Sequence, residues 1–307
     1  MKSSINIIKG ISAIAVSTIL LTACPQPEES DNQPIPKLDS SKTENSENPS
    51  GGPTPFDGAI FSIPSPIQLG GVIKNSGAAF NKEILNSPKS TESYIDLVGQ
   101  SLNLGVYGAD LGYCTLYDVQ QESISYMKAA QKLSSNLGIS DAFDFETLKS
   151  VERNLDNKDS LLYIISNSYR KADDYLQTSD RKHIGALVIV GGWIESMHFA
   201  SVLGKEDKNE EIVNLIGLQK HTINTIVDKL LERYYNEPGV EEVYNDLDDV
   251  RNSFNKINIK YEYIAPETDS DKKLTTIKSK TTVEITDEVF NEIIEKIELV
   301  RAKITEI

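Results

Sequence analysis

Cysteine is scarce in this sequence, with two among 307 residues, Cys24 and Cys114. If Cys24 is modified, as the N-terminal pattern predicts, no intramolecular disulfide can form, and the hydrophobic core alone must hold the fold. Cys114 has no catalytic signature or obvious base beside it. We therefore expect Cys114 to be a small buried hydrophobic residue, in preference to a catalytic thiol.

Positive charge is also in short supply. The chain has 31 lysines and arginines against 46 aspartates and glutamates, and its formal net charge is -15. A protein that binds nucleic acid presents a basic face to the phosphates, so this balance argues against nucleic acid, and we expect no nucleic-acid partner. It also argues against electrostatic adhesion to anionic lipid.

The motifs of the common enzyme classes are missing. The sequence has no G-x-S-x-G elbow, P-loop, dinucleotide fingerprint or H-E-x-x-H helix. Among its three histidines, His198 forms the one Glu-x-x-His pair, with Glu195, whereas a di-iron bundle needs two such pairs and two further glutamates. The sequence thus indicates no catalytic residue, metal or cofactor, and it favours a protein that is not an enzyme.

The N-terminus carries the strongest signal. Lys2 and Lys9 precede the apolar run from Ile11 to Leu21, and the tetrapeptide LTAC ends at Cys24. This pattern predicts a signal peptide over residues 1–23 and a lipobox whose Cys24 is diacylated, which anchors the chain in a membrane. The alternatives are an ordinary secretory signal or a membrane helix, but the run is shorter than the roughly 20 residues that span a bilayer.

Residues 24–57 are predicted to be a disordered tether, because proline, serine, glutamate and asparagine dominate them. Such a tether has a mean reach of about 30 Å. Glu28 and Glu29 resemble the acidic export signal of surface-exposed lipoproteins, although an acidic linker would look the same. We expect an outer-membrane lipoprotein, on the periplasmic face or the cell surface.

Residues 58–258 are predicted to form a helical bundle, because their apolar residues recur with a 3.6-residue period. Ser65 and Pro66 are expected to begin a short helix, and Gly138 to end a long stretch that starts near Thr91 and has one or two breaks at its glycines. Further helices are expected over residues 140–155, 160–177, 180–204, 209–236 and 240–257. The central helix, from His183 to Gly204, is apolar nearly all round and should be surrounded by protein.

Glycines within this bundle have a packing role in our interpretation. Gly185, Gly191 and Gly192 each weaken an isolated helix by about 1 kcal/mol relative to alanine. They make sense if the backbone of a neighbouring helix packs very close to the central helix.

After residue 258 the 3.6-residue period of apolar residues gives way to alternation between apolar and polar residues. Alternating segments at Asn258–Ala265 and Thr276–Thr286 predict two strands of a hairpin that leans on the bundle, since an isolated hairpin is marginally stable. Thr286 or Asp287 then caps a last helix. The predicted fold class is all-α, a multi-helix bundle with a small C-terminal β-hairpin and a final helix.

Five polar residues occur where apolar residues belong or beside them. Burying such groups costs free energy unless they are hydrogen-bonded, so we hypothesise one internal polar network near a glycine-rich helix crossing. The network would fix helix register or line a cavity for a small ligand or ion. Its predicted members are Asp110, Gln120, Glu195, His198 and Gln219.

Several segments resemble an uncharacterised all-helical lipoprotein family of Bacteroidota. They include Gly-x-Asp-x-Gly-Tyr from Gly108, Gly-Gly-Trp-x-Glu from Gly191, and Gln219-Lys220. The resemblance covers roughly residues 60 to 258 and the lipoprotein signal. It implies an all-α fold on an outer-membrane tether and no established activity. Imelysin-like peptidase lipoproteins carry Gly-x-His-x-x-Glu, whereas Glu195 here precedes His198.

Three functions remain open from sequence. The first is a non-enzymatic binding or envelope-structural module with an acidic surface. The second is a small-ligand or metal-dependent site in the bundle interior around Glu195 and His198. The third is a sensor or accessory subunit that docks an envelope protein on an exposed apolar patch.

Overall fold

The computed structural model describes residues 54–56, 59–61, 63–139, 144–154, 156–179, 181–207, 209–269, 274–276 and 279–306. The predicted signal peptide, Cys24 and the Glu28–Glu29 pair lie outside these residues. The tether was expected to extend to residue 57, but strand β1 (Thr54–Phe56) already pairs antiparallel with β2 (Ala59–Phe61).

Helices make up most of the part of the chain that is described, and the predicted all-α fold with a small hairpin and a final helix is confirmed. Two short 3-10 turns, Lys82–Ile84 and Pro88–Glu92, lie between the first two helices. The α-helices are α1 (Pro66–Asn75), α2 (Leu97–Leu116), α3 (Gln120–Asn136), α4 (Phe145–Arg153), α5 (Lys158–Thr178), α6 (Lys182–Asp207), α7 (Glu210–Thr225), α8 (Val240–Phe254) and α9 (Asp287–Thr305).

Polar caps set the start of several helices. The Ser65 hydroxyl accepts from the backbone N–H of Gln68, whose side chain accepts in return from the Ser65 N–H, and Pro66 is the first helical residue. Asp144 caps α4, and Thr286, one of the two residues expected there, caps α9. Helix α5 begins slightly earlier than predicted, because Asn157 accepts from the Ser160 N–H.

The position of the break in the long N-terminal stretch differs from the prediction. The chain breaks between α2 and α3, where Asp118 has φ 60, and α3 ends just before Gly138, with φ 70. The glycines do not interrupt the helix, because packing against α6 outweighs their poor helix propensity. All four lie inside α2: Gly99, Gly105, Gly108 and Gly112.

Helix α7 is shorter than the helix predicted over residues 209–236. The backbone widens into a π-helical segment at Ile226–Leu231 and then tightens into a 3-10 turn at Glu232–Tyr234. Two adjacent aliphatic pairs, 226–227 and 230–231, are all buried in the wider segment. Pattern alone does not distinguish such a turn from a regular α-helix.

The crossing of α2 and α6 is the centre of the fold. A Cβ atom on Gly191 would overlap the carbonyl of Leu102, and one on Gly105 would lie 2.6 Å from the backbone nitrogen of Gly192 and overlap the carbonyl of Val188. The two backbones therefore touch directly, as expected for Gly191 and Gly192. Any side chain at Gly105 or Gly191 would separate the helices.

Helix α6 is mostly buried within the bundle. By length and composition alone, Lys182–Lys205 could cross a membrane, with a mean hydropathy of 1.5, but 83% of that apolar window is buried inside the fold. The sole tryptophan, Trp193, is among its fully buried side chains. We read α6 as the core helix of the bundle, in agreement with its apolar surface.

The C-terminal hairpin leans on the bundle through a few residues at its base. Strand β3 (Asn258–Glu262) pairs antiparallel with β6 (Lys280–Glu284), and β4 (Glu267–Asp269) pairs with β5 (Leu274–Thr276) beyond them. Val283 packs onto Gly217 of α7. Outside this base the strands are mostly exposed, so the bundle supplies the support that an isolated hairpin lacks.

Candidate functional site

The buried Glu195 is paired with a residue that the sequence analysis missed. Both Glu195 oxygens accept from Arg301 of α9, at 3.0 Å from Nε and 3.0 Å from Nη2. Glu195 has no exposed surface, and the Arg301 side chain is 16% exposed. This two-pronged ion pair clamps the final helix onto the central helix.

His198 makes a second link between α6 and α9. Its Nδ1 faces the Glu298 carboxylate at 2.8 and 2.9 Å, and its Nε2 faces the carbonyl of Ile84 at 2.9 Å. Both ring nitrogens of His198 are therefore engaged within the fold. Arg301 Nη2 also lies 3.4 Å from the Ile84 carbonyl, which joins the two links.

Asp110 is fully buried beside Glu195, and no donor forms a hydrogen bond with either of its oxygens. Burial, and next the negative charge of Glu195, raise the pKa of Asp110 well above its usual value. The Arg301 guanidinium opposes this shift of the pKa but does not cancel it. A protonated Asp110 lies within reach to donate its hydrogen to Glu195, which accounts for a carboxyl without another partner.

The end of α9 is held by buried side chains from α2 and the loop before it. Asn103 donates to the carbonyl of Ile304 at 2.7 Å, and Tyr94 donates to that of Thr305 at 3.3 Å. Asn86 donates to the Asn103 side chain at 3.2 Å. These bonds occupy two carbonyls of the last helical turn, where no intrahelical donor is available.

The predicted five-residue network is only partly present. Asp110, Glu195 and His198 come together with α9, but Gln219 lies elsewhere and accepts from the Trp193 indole N–H at 3.3 Å. Gln120 is a correction: it is partly exposed at the start of α3 and donates to Asp156 at 2.8 Å. Its place in the apolar stripe was misleading, because the helix does not extend through residues 117–119 as one unit.

The sequence pattern of α9 does indicate that Arg301 is buried, although the residue was not predicted as a member of the polar network. It lies four residues after Ile297 and three before Ile304, so it occupies the apolar face of α9. A charged residue at such a position needs a buried partner of opposite charge. The sequence therefore indicates that Arg301 needs a buried acidic partner. Only the tertiary structure, in which α9 packs across α6, identifies that partner as Glu195.

These contacts leave the polar cluster little capacity to bind anything else. Glu195 is committed to Arg301, and both His198 nitrogens are occupied. No group of three or more potential metal ligands occurs among the residues that the structure describes. Cys114 is also unsuited to chemistry, since it is buried and burial raises the pKa of its thiol. We interpret the cluster as the lock that fixes α9 on the bundle.

A separate cavity of about 380 Å³ lies between α2, α5 and α6, beside the glycine-rich crossing and the first turn of α1. Its volume is within the range of small-ligand sites. None of the five predicted polar residues is among its described lining residues. Four glycines of α2 and α6 are among its lining residues and contribute no side chain to its wall: Gly105, Gly108, Gly185 and Gly192.

The cavity wall is mostly aliphatic. Its side chains come chiefly from Leu104, Ile165, Leu176, Val188 and Ile189. Polar groups are few, and these are Ser65, Ser166 and Arg170 among the described lining residues. A wall of this kind binds apolar molecules by removing their surface from water, at roughly 25 cal/mol per Å² buried.

Comparison with known proteins found no matching family model, no matching curated protein and no matching solved structure. Membership in the helical lipoprotein family of Bacteroidota therefore stays a prediction.

Proposed function

We propose that this chain is a non-enzymatic binding module, tethered to the outer membrane through Cys24, that takes a small apolar molecule into the cavity between α2, α5 and α6. The observation that carries the proposal is the aliphatic cavity of about 380 Å³. The buried polar cluster, in contrast, is engaged in contacts within the fold. The metal-dependent alternative around Glu195 and His198 is disfavoured, because both residues already have close partners.

The membrane anchor is the other half of the proposal. It is supported by the lipobox pattern ending at Cys24 and by the polar composition of the residues that follow. An acylated Cys24 would hold the binding domain near a membrane, which is also a source of apolar ligands. An envelope protein partner stays a prediction, tested by co-isolation with the tethered form.

The binding function is tested with radiolabelled dodecanol, a neutral aliphatic molecule, in equilibrium dialysis. The protein is the processed form, residues 24–307, with Cys24→Ser so that it carries no lipid. Val188→Trp fills the cavity and should abolish dodecanol binding. Val202→Trp is the matched control, because Val202 is a half-buried valine of the same helix that does not line the cavity.

Thermal unfolding of each variant shows whether it is folded. If Val188→Trp is folded and binds dodecanol as the unsubstituted cavity does, or if no variant binds it, the proposed function is wrong. The anchor is tested separately by labelling cells with palmitate. Label should be incorporated into the unmodified sequence and be absent from Cys24→Ser.

A further inference from the structure

We infer that the ligand of this cavity is the single acyl chain of a fatty acid, with its carboxylate held by Arg170 at the mouth. This inference rests on the proposed function and names its ligand class. Three observations support it: the aliphatic wall of the cavity, the position of Arg170 at its edge, and the weak, exposed ion pair between Arg170 and Asp174.

The wall favours a slender, flexible and unbranched chain. Its described lining residues include no aromatic side chain on which a planar ring could stack. On two sides the wall is glycine backbone, from Gly105 and Gly108 of α2 and from Gly185 and Gly192 of α6. Such a wall offers close van der Waals contact to methylene groups and few directional contacts to polar rings.

Arg170 supplies the head-group contact. It is the single charged residue among the described lining residues, and it is a cation. The Arg170 side chain is two-thirds exposed, so we place its charge at the cavity mouth and not inside. A carboxylate can accept two parallel hydrogen bonds from a guanidinium, so a fatty acid matches this site in charge and geometry.

The present partners of Arg170 are exchangeable. Nη1 lies 3.2 Å from Asp174 and Nη2 lies 2.7 Å from the Asn167 side chain, on the exposed face of α5. The Asp174 side chain is 64% exposed, and ion pairs this exposed contribute little to stability. An incoming carboxylate can therefore replace Asp174 at small cost.

The positive charge of Arg170 also distinguishes a free fatty acid from the acyl chains that a lipidated Cys24 would carry. Acyl chains attached to a lipoprotein cysteine are held in amide and ester linkages and carry no carboxylate. They would gain nothing from Arg170, and the two or more chains together need more space than one. A free fatty acid uses both the aliphatic wall and the guanidinium.

The test compares dodecanoate with dodecanol, which share the chain and differ in head-group charge. In the Cys24→Ser form, dodecanoate should bind about fivefold more tightly than dodecanol, the gain typical of one exposed charge pair. Arg170→Gln should remove this difference, so that dodecanoate binds no more tightly than dodecanol. Lys171→Gln, which alters the exposed neighbouring cation outside the cavity, should change neither affinity.

Equal binding of the two compounds to the Cys24→Ser form would overturn the fatty-acid assignment. If Val188→Trp still blocks both compounds in that case, the proposed binding function stands. Insensitivity of both compounds to Val188→Trp would overturn the binding function itself. A third arm uses the acylated chain, which should bind dodecanoate as well as Cys24→Ser does. Loss of binding there would assign the cavity to the chain's own lipid and refute the inference.

Discussion

Replacing Asp110 by asparagine should stabilise the protein at neutral pH, although it removes a buried carboxyl from the centre of the fold. The native Asp110 has no hydrogen-bond donor and lies against Glu195, so its charged form is disfavoured and its pKa is raised. An asparagine amide keeps the size of the protonated acid and can donate to Glu195 in its place. The substitution therefore preserves the contact and removes the ionisable group.

The expected pH dependence follows from linkage. Above pH 3.8 the unfolded chain releases the Asp110 proton, while the folded chain keeps it until the raised pKa is reached. In that window the folded state binds more protons, so stability falls as pH rises, by about 1.4 kcal/mol per pH unit for this one group. Asp110→Asn lacks the group and should lose this slope.

The size of the effect at neutral pH can be bounded from the structure. Each pH unit by which the folded-state pKa exceeds the unfolded one, counted up to pH 7, costs the native protein about 1.4 kcal/mol. Since burial raises the pKa of Asp110 well above its usual value, we expect Asp110→Asn to unfold at pH 7 with a free energy more than about 1.4 kcal/mol above that of the native sequence. Near pH 4 the two should differ little, because Asp110 is then neutral in both the folded and much of the unfolded population.

Urea unfolding followed by the fluorescence of the single buried tryptophan, Trp193, measures these free energies between pH 4 and pH 8. Asp249→Asn is the control, since Asp249 is an exposed partner of Lys296 and should change stability by less than about 1 kcal/mol at any pH. A destabilised Asp110→Asn, or a stability difference that does not change with pH, would show that Asp110 is ionised in the fold and held by Arg301.

Two further predictions concern the helix crossing and the α9 lock. Gly191→Ala should destabilise the fold by more than about 3 kcal/mol or prevent folding, because its Cβ would overlap the Leu102 carbonyl. Gly71→Ala in α1 is the control: a Cβ there would have nothing within 4 Å, so the variant should be more stable by up to about 1 kcal/mol. Thermal or urea unfolding measures both changes. Arg301→Met should cost about 3 kcal/mol, since it leaves Glu195 as a buried charge with no cation. Lys303→Met, which removes a half-exposed pair on the same helix, should cost less than about 1 kcal/mol, and equal losses for the two would contradict the lock.

Local patterns in the sequence were sufficient for much of the architecture. The Ser65–Pro66 start, the Thr286 cap and the stop at Gly138 depend on neighbouring residues only, and each lies where it was predicted. The period change near Asn258 likewise predicted the hairpin. A helix cap or an alternating strand is decided by a few consecutive residues, so it can be read without knowledge of the fold.

Contacts between helices that are distant in sequence could not be predicted from local patterns. The sequence placed Glu195 and His198 among buried groups, but it did not show that α9 crosses α6 and brings Arg301 and Glu298 to them. It also grouped Gln120 with them on helical spacing that the break at Asp118 interrupts.

What the sequence by itself determined is the helical class, the caps and the need for close packing at the glycines. Only the tertiary structure decided how each glycine is used. At Gly191 the backbone of α2 fills the space where a side chain would lie. Gly108 and Gly185, in contrast, line the cavity. The physical reason is that a missing side chain creates space locally, while the position and angle of the neighbouring helix decide whether that space becomes a contact or a binding site.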